Sequence, residues 1–356
     1  MATNTGLLDA PVVQDYRSAD ISVNITNQTV IGQLDYSLAA NLLVWRVQEP
    51  DNAIYVAPID PSGGNILGIN SQSAKSQDSR TGQLLVRLSR SQSTRLSIDW
   101  IHQLCYYNLN DKIVVFNLTD PKLANGYVVV NEMFYHTVHD LVVDPRESLL
   151  FWSVSDNSFD DNKTGRLMRS GQDGSNSRAL VGPGPEVKEP LVMAIDGWPG
   201  GERRVYWIDR YLFRFFSVDY DGHGLRRILE SRELFTLSKF MVVYGDDILW
   251  SNYYHSSVLM TNKFGRNGSQ IRYLVKGQQS VEVEAVRILD SRLQPTVEAS
   301  DRCRRHRCQY LCLPIADSAD SDGHHQYRCV CPQINLSNRL YPTNHNNCTE
   351  SLVINL

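Results

Sequence analysis

Short apolar runs, each closed by an aspartate, return along the chain from residue 30 onward. They read Val30-Ile31-Gly32-Gln33-Leu34-Asp35, Leu96-Ser97-Ile98-Asp99, Leu141-Val142-Val143-Asp144 and Met193-Ala194-Ile195-Asp196. Eight to eleven residues after each aspartate stands an aromatic residue, Trp45, Tyr107, Trp152 and Trp207 in turn, and a fifth aromatic run ends at Trp250. Asp173-Gly174, Asp221-Gly222 and Asn267-Gly268 punctuate the later repeats. Such dipeptides between β-rich runs are the strongest short-range hairpin signal. No stretch of useful length carries helical periodicity. Each repeat therefore supplies about four short strands, the content of one propeller blade.

The aromatic positions lie 43–62 residues apart, and five blades are visible directly. A sixth assembles from Glu284–Leu289 together with Leu7–Ile21, because joining the two ends in one sheet removes free edges. The pattern predicts an all-β fold whose residues 1–296 form a six-bladed β-propeller. Two stretches depart from it. Asn70–Gln83 is Ser/Gln-rich and reads as a surface loop, and Ala316–Gln326 is an acidic insertion.

Length and charge narrow the classes. The 356 residues suit one large domain and a small one. Lys+Arg number 35 against Asp+Glu 39, so no basic field exists for nucleic acid. No apolar stretch approaches the roughly 18–20 residues that cross a bilayer. Residues Met1 to Asp20 carry neither a basic n-region nor an apolar h-region.

Six of the seven cysteines fall within 303–348, spaced Cys303-x4-Cys308-x3-Cys312-x16-Cys329-x-Cys331-x16-Cys348. A segment this short needs cross-links to fold. Zinc is the competing reading, but Cys329-x-Cys331 is tighter than a zinc knuckle and the other gaps do not repeat. Disulfides are expected, with 15 connectivities open by spacing. Asn24, Asn27, Asn117, Asn162, Asn267, Asn335 and Asn347 each begin an N-x-S/T sequon. Cysteines and sequons together point to an extracellular or cell-surface protein, so a chain without a leader is expected to be a piece of a longer one.

The repeats and the cysteine module together resemble the low-density lipoprotein receptor family. Asp99-Trp100-Ile101-His102 followed by Tyr106-Tyr107 looks like that family's second blade, and Val205-Tyr206-Trp207-Ile208-Asp209 closely matches its fourth. Cys308-Gln309-Tyr310-Leu311-Cys312-Leu313-Pro314 is similar to the EGF-like module of the lipoprotein and yolk-protein receptor branch. The resemblance implies a YWTD-type propeller, an EGF-like module over 297–350 with a tail at 351–356, and disulfides Cys303–Cys312, Cys308–Cys329 and Cys331–Cys348. In the family the last acid of the motif ties neighbouring blades. Only Asp209 keeps it here, with Val47, Leu109, Val154 and Asn252 at the matching positions. Aromatic packing and Asp35, Asp99, Asp144 and Asp196 are expected to take over. Residues 297–302 lack the acidic cluster of calcium-binding EGF modules, so no calcium and no other cofactor is expected.

The repeated acids read as structural caps of backbone N–H groups, since recurrence in every blade argues against a catalytic or metal role. His136-x-x-His139 has no partner glutamate and is not a zincin site. Arg302, Arg304, Arg305, His306 and Arg307 form a basic cluster that is either a solvated loop or a site for a sulfated glycan or acidic partner. Cys105, inside an aromatic run, is expected to be an inert core thiol.

No hydrolase or nucleotide motif is present, and no enzyme is expected. The resemblance implies an ectodomain segment of an endocytic receptor that takes a protein or lipoprotein ligand. It would scaffold intramolecular ligand-binding modules and aid release at endosomal pH. The alternative is a propeller whose own face binds protein, in a signalling co-receptor or matrix-attachment protein. Family histidines serve such release, but Glu147 stands where the lipoprotein receptor has one.

Overall fold

The computed structural model describes residues 2–3, 30–49, 52–59, 82–88, 94–119, 126–132, 136–156, 163–253, 257–265, 271–275, 283–295, 301–304, 306–316, 326–333 and 351–354. Among them are five four-stranded antiparallel sheets, each a meander in chain order. Blade 1 comprises Val30–Ser37, Leu42–Glu49, Ala53–Pro58 and Gln83–Arg87, and blade 2 Leu96–Asp99, Leu104–Leu109, Lys112–Asn117 and Tyr127–Asn131. Blade 3 is His136–Asp144, Leu149–Asp156, Gly165–Gly171 and Arg178–Val181. Blade 4 is Pro190–Ile195, Arg204–Asp209, Arg214–Asp219 and Arg226–Glu230, and blade 5 Met241–Tyr244, Asp247–Asn252, Ser257–Asn262 and Arg272–Val275. The fold class is the β-propeller.

Each aromatic run is the second strand of its blade and is buried on both faces, so apolar residues stand at successive positions rather than alternating. In blades 1 to 4 the run ending in aspartate supplies the first strand. A four-residue turn joins it to the second strand in blades 1, 2 and 3, and the longer stretch 196–203 does so in blade 4. Asp173-Gly174 and Asp221-Gly222 lie between third and fourth strands with φ of 84° and 92° at the glycines. A Cβ on Gly174 would also come into the carbonyl oxygen of Val129, so backbone of blade 2 reaches this turn only because it is glycine.

Several expectations change. Five full blades stand among the described residues where six were expected, and the sixth sheet there has two strands, Ala2–Thr3 pairing with Val283–Ala285. The strand expected over Glu284–Leu289 stops at Ala285 because side chains of blade 1 engage the next residues. Tyr36 Oη donates to Ile288 O at 2.6 Å, and Arg287 Nε meets Asp35 Oδ1 at 3.3 Å. Leu7–Ile21 lies outside the described residues, as do Asn70–Arg80; Gln83, placed in the loop by sequence, opens the last strand of blade 1. A four-residue helix, Arg232–Phe235, forms where Ser231 Oγ accepts from Leu234 N at 3.3 Å, a cap too short to leave a periodicity. Ser351–Ile354, assigned to a tail, pairs with Gln326–Val330 and joins Leu311–Pro314 in the module's three-stranded sheet.

The chain separates into two compact units, Met1–Arg87 with Leu191–Leu293, and Leu88–Pro190 with Gln294–Leu356. The first holds blades 1, 4 and 5. The second holds blades 2 and 3 and the cysteine module. Among the described residues, no helix is long and apolar enough to cross a membrane.

Candidate functional site

The repeat aromatics Trp45, Tyr107, Trp152, Trp207 and Trp250 are all buried. Trp45 stacks on Tyr55 at 6.0 Å and Trp207 on Phe216 at 5.3 Å, each ring meeting its neighbour on the next strand of the same blade. Each repeat acid accepts from N–H groups immediately after it. Asp35 takes Tyr36 N at 3.0 Å, Asp144 takes Arg146 N at 3.1 Å, and Asp196 takes Trp198 N and Glu202 N at 3.3 and 3.1 Å. Asp209 takes Tyr211 N and Leu212 N at 3.1 and 2.9 Å. Val47, Leu109 and Val154, where the family motif has an acid, are buried apolar residues, and Asn252 Nδ2 donates to Glu233 O at 2.9 Å. Cys105 is buried, its thiol directed at Tyr106 O.

Two acids of the set do more than cap a turn. In the first unit Lys263 Nζ, on a residue only 3% exposed, lies 2.9 Å from Asp196 Oδ2 and donates to Gly245 O at 2.7 Å. In the second unit Asp99 fixes a buried imidazole. Asp99 Oδ1 accepts from Ile101 N and His102 N at 2.9 Å each, and its Oδ2 lies 2.6 Å from His102 Nδ1. The other ring nitrogen, Nε2, accepts from Arg302 N at 3.1 Å and sits 3.9 Å from Asp301 Oδ1. His102 thus links the first turn of blade 2 to the residues that enter the cysteine module.

The module is seated on the same blades by apolar contact. Leu311, Leu313 and Val330 share one buried cluster with Leu104, Tyr106, Leu141, Val143 and Trp152. Gln333 N donates to Gly126 O at 2.8 Å, and Gln333 Oε1 accepts from Val128 N at 3.2 Å. Inside the module, disulfides join Cys303 to Cys312 and Cys308 to Cys329. Cys331 is also disulfide-bonded, and Cys348 lies outside the described residues.

The hydrogen bonds around His102 are those of a neutral ring protonated on Nδ1. Burial by itself would lower its pKa, but the charge and hydrogen bond of Asp99, with Asp301 behind, outweigh burial and hold the pKa above the ordinary 6.5. A second proton on Nε2 displaces the Arg302 amide and faces the Asp301 carboxylate instead. A group whose pKa is raised by folding contributes stability that is full below its unfolded pKa. That contribution is lost as pH rises through the folded value. Acidification therefore strengthens this seam.

His136 titrates in the opposite sense. Its Nδ1 accepts from Arg166 NH2 at 2.9 Å, and both lie near Glu132, whose Oε1 takes Trp152 Nε1 at 2.8 Å. Burial, then Arg166, push the His136 pKa down. Its contribution is present above the ordinary value and lost as pH falls below it. His139, the other member of the pair, bonds Ser155 Oγ at 2.7 Å. The two imidazoles serve separate partners.

Of the sequons, Asn117 is described; its Oδ1 accepts from Thr119 N and Oγ1 at 2.8 and 2.9 Å. Asn24, Asn27, Asn162, Asn267, Asn335 and Asn347 lie outside the described residues. Sequence reasoning missed His102 and Lys263. The signal for His102 was available, a histidine three residues after a strand-ending aspartate, but its partners at 301 and 302 are remote in sequence.

No family model matches the chain. Among curated proteins it is 26% identical over 304 residues, 83% of its length, to the vitellogenin receptor Yl of Drosophila melanogaster. The chain resembles the low-density lipoprotein receptor family. It spans 13% of that receptor's length. Among solved structures, a chain of a nidogen/laminin complex superposes with a TM-score of 0.56 at 14% identity, covering 78% of this chain and 95% of that one, a likeness of fold. The β-propeller blades agree with that likeness, and the disulfide-rich C-terminal region, with its two described disulfides, is compatible with an EGF-like module.

Proposed function

We propose that the chain is an ectodomain segment of a lipoprotein-receptor-like endocytic receptor, a binding protein that performs no chemistry. Its propeller and its EGF-like module would scaffold ligand-binding modules and aid ligand release at endosomal pH. The observation that carries the reading is the seam at His102. A module seated on blades 2 and 3 through an apolar cluster supports a scaffold role, and an imidazole held between two carboxylates at that seam is a titratable link between blade and module. The cross-linked module supports an extracellular location, where such bridges persist.

The relative's name makes vitellogenin the first ligand to test. Binding of purified vitellogenin to the chain, and to a receptor carrying it with its ligand-binding modules, is measured near pH 7.4 and pH 5.5. Weaker binding at the acidic pH is expected, with most affinity requiring the modules. Equal affinities at both pH values would remove the release role. Full affinity in the isolated chain, independent of pH, would favour the alternative of a propeller that binds protein through its own face.

A further inference from the structure

We infer that Asn117 is an N-glycosylation acceptor, and that its glycan stands beside the seam between blade 2 and the cysteine module. The inference rests on the extracellular reading above, since this modification is made on chains entering the secretory pathway. Asn117-Leu118-Thr119 is a sequon with leucine, not proline, in the middle. Sequons arise by chance in any chain, so the structural setting has to select one.

The end of Lys112–Asn117 supplies that setting. Phe116 and Leu118 are buried, whereas Asn117 is half-buried and Thr119 exposed. The strand's period of two therefore turns the acceptor and its hydroxyl residue away from the core. Asn117 Oδ1 accepts from both Thr119 N and Thr119 Oγ1, at 2.8 and 2.9 Å. Such contacts join near neighbours and need no tertiary partner, so the same turn is open to the segment before the blade folds. The Thr119 hydroxyl is thereby held on the amide that reacts.

The transfer is compatible with the fold. Asn117 Nδ2 attacks the anomeric carbon of an oligosaccharide linked to a lipid pyrophosphate. A new N–C bond replaces the C–O bond to the pyrophosphate, which departs on its lipid, and one Nδ2 proton passes to a base of the transferase. Oδ1 and the second Nδ2 proton remain, so the bonds to Thr119 survive and one N–H donor is kept. Leu118 N donates to Gln103 O at 2.9 Å, and Gln103 follows His102, whose Nε2 accepts from Arg302 N. The glycan thus adds a bulky, solvated group on the turn edge of blade 2 that carries the seam.

The test expresses the whole chain behind a secretory leader in animal cells and purifies the secreted protein with its disulfides intact. Peptide N-glycosidase in heavy-oxygen water converts a glycosylated asparagine into aspartate bearing one heavy oxygen, which mass spectrometry of the peptide reads at position 117. Label is expected in most wild-type chains and in T119S, which keeps the hydroxyl. T119V keeps Asn117 but loses the hydroxyl, and should be secreted without label at this position. An unlabelled wild-type peptide, in protein whose module cysteines are paired, would overturn the inference and leave the extracellular reading standing. Label persisting in T119V would also overturn it, because that label would come from deamidation of Asn117 and not from a glycan. Reduced module cysteines in the protein from its own source would instead remove the extracellular reading, and the inference with it.

Discussion

Replacing Lys263 by methionine is expected to destabilise the protein by about 3–5 kcal/mol, because it leaves the Asp196 carboxylate buried without its cation. Asp196 is 1% exposed and Lys263 3%, so water does not reach either charge to compensate. The carboxylate retains Trp198 N and Glu202 N as donors, but these are neutral groups. The methionine keeps the aliphatic stem of lysine, so packing alone changes little. The D196N/K263M double variant should recover part of the loss, since no buried charge remains, while the single amide oxygen keeps only one of the two N–H groups that the carboxylate takes on separate oxygens. Chemical denaturation of the four proteins in the cycle measures the coupling directly. A single variant within about 0.5 kcal/mol of wild type would mean that the pair contributes nothing measurable.

Leu313→Ala is expected to cost about 2–5 kcal/mol and to loosen the module from blades 2 and 3. Leu313 is fully buried in a cluster that otherwise belongs to the blades. Truncation leaves a cavity that the disulfide-linked module cannot easily collapse into, because Cys312 beside it is tied to Cys303. Hydrogen exchange should rise in Leu311–Pro314 and Gln326–Val330 and also in Leu104–Leu109, while blades of the other unit keep their protection. A loss confined to the module would show that it folds without the blades' support, contrary to the shared cluster.

Much of the fold was legible because a propeller repeats a local code. An apolar run ending in aspartate, an aromatic strand eight to eleven residues later and a glycine turn are short-range signals, and Asp99, Tyr107 and Gly174 each sit where that code places them. The sixth sheet was less legible. The pairing of the two chain ends was foreseen, but the sheet's strands come from residues 2–3 and 283–285, and the N-terminal pair is too short to carry a pattern. Asp35 and Tyr36 then capture Arg287 and the Ile288 carbonyl, ending a strand that its apolar pattern would have continued.

The candidate site divides in the same way. The acids at strand ends could be read as caps, since their donors lie one to six residues on. That Asp196 also holds Lys263, 67 residues away, and that Asp99 presents His102 to Arg302, 200 residues away, are products of tertiary packing. Spacing cannot reveal them.

His102, the titrating link between blade and module, is the residue on which the proposed scaffold role most directly depends. Thermal unfolding of the wild type and H102Q, followed from about pH 8 to about pH 5.5, tests it. The advantage of the wild type over the variant should widen as pH falls, because the imidazolium is favoured between Asp99 and Asp301. An advantage that narrows or disappears on acidification would contradict it.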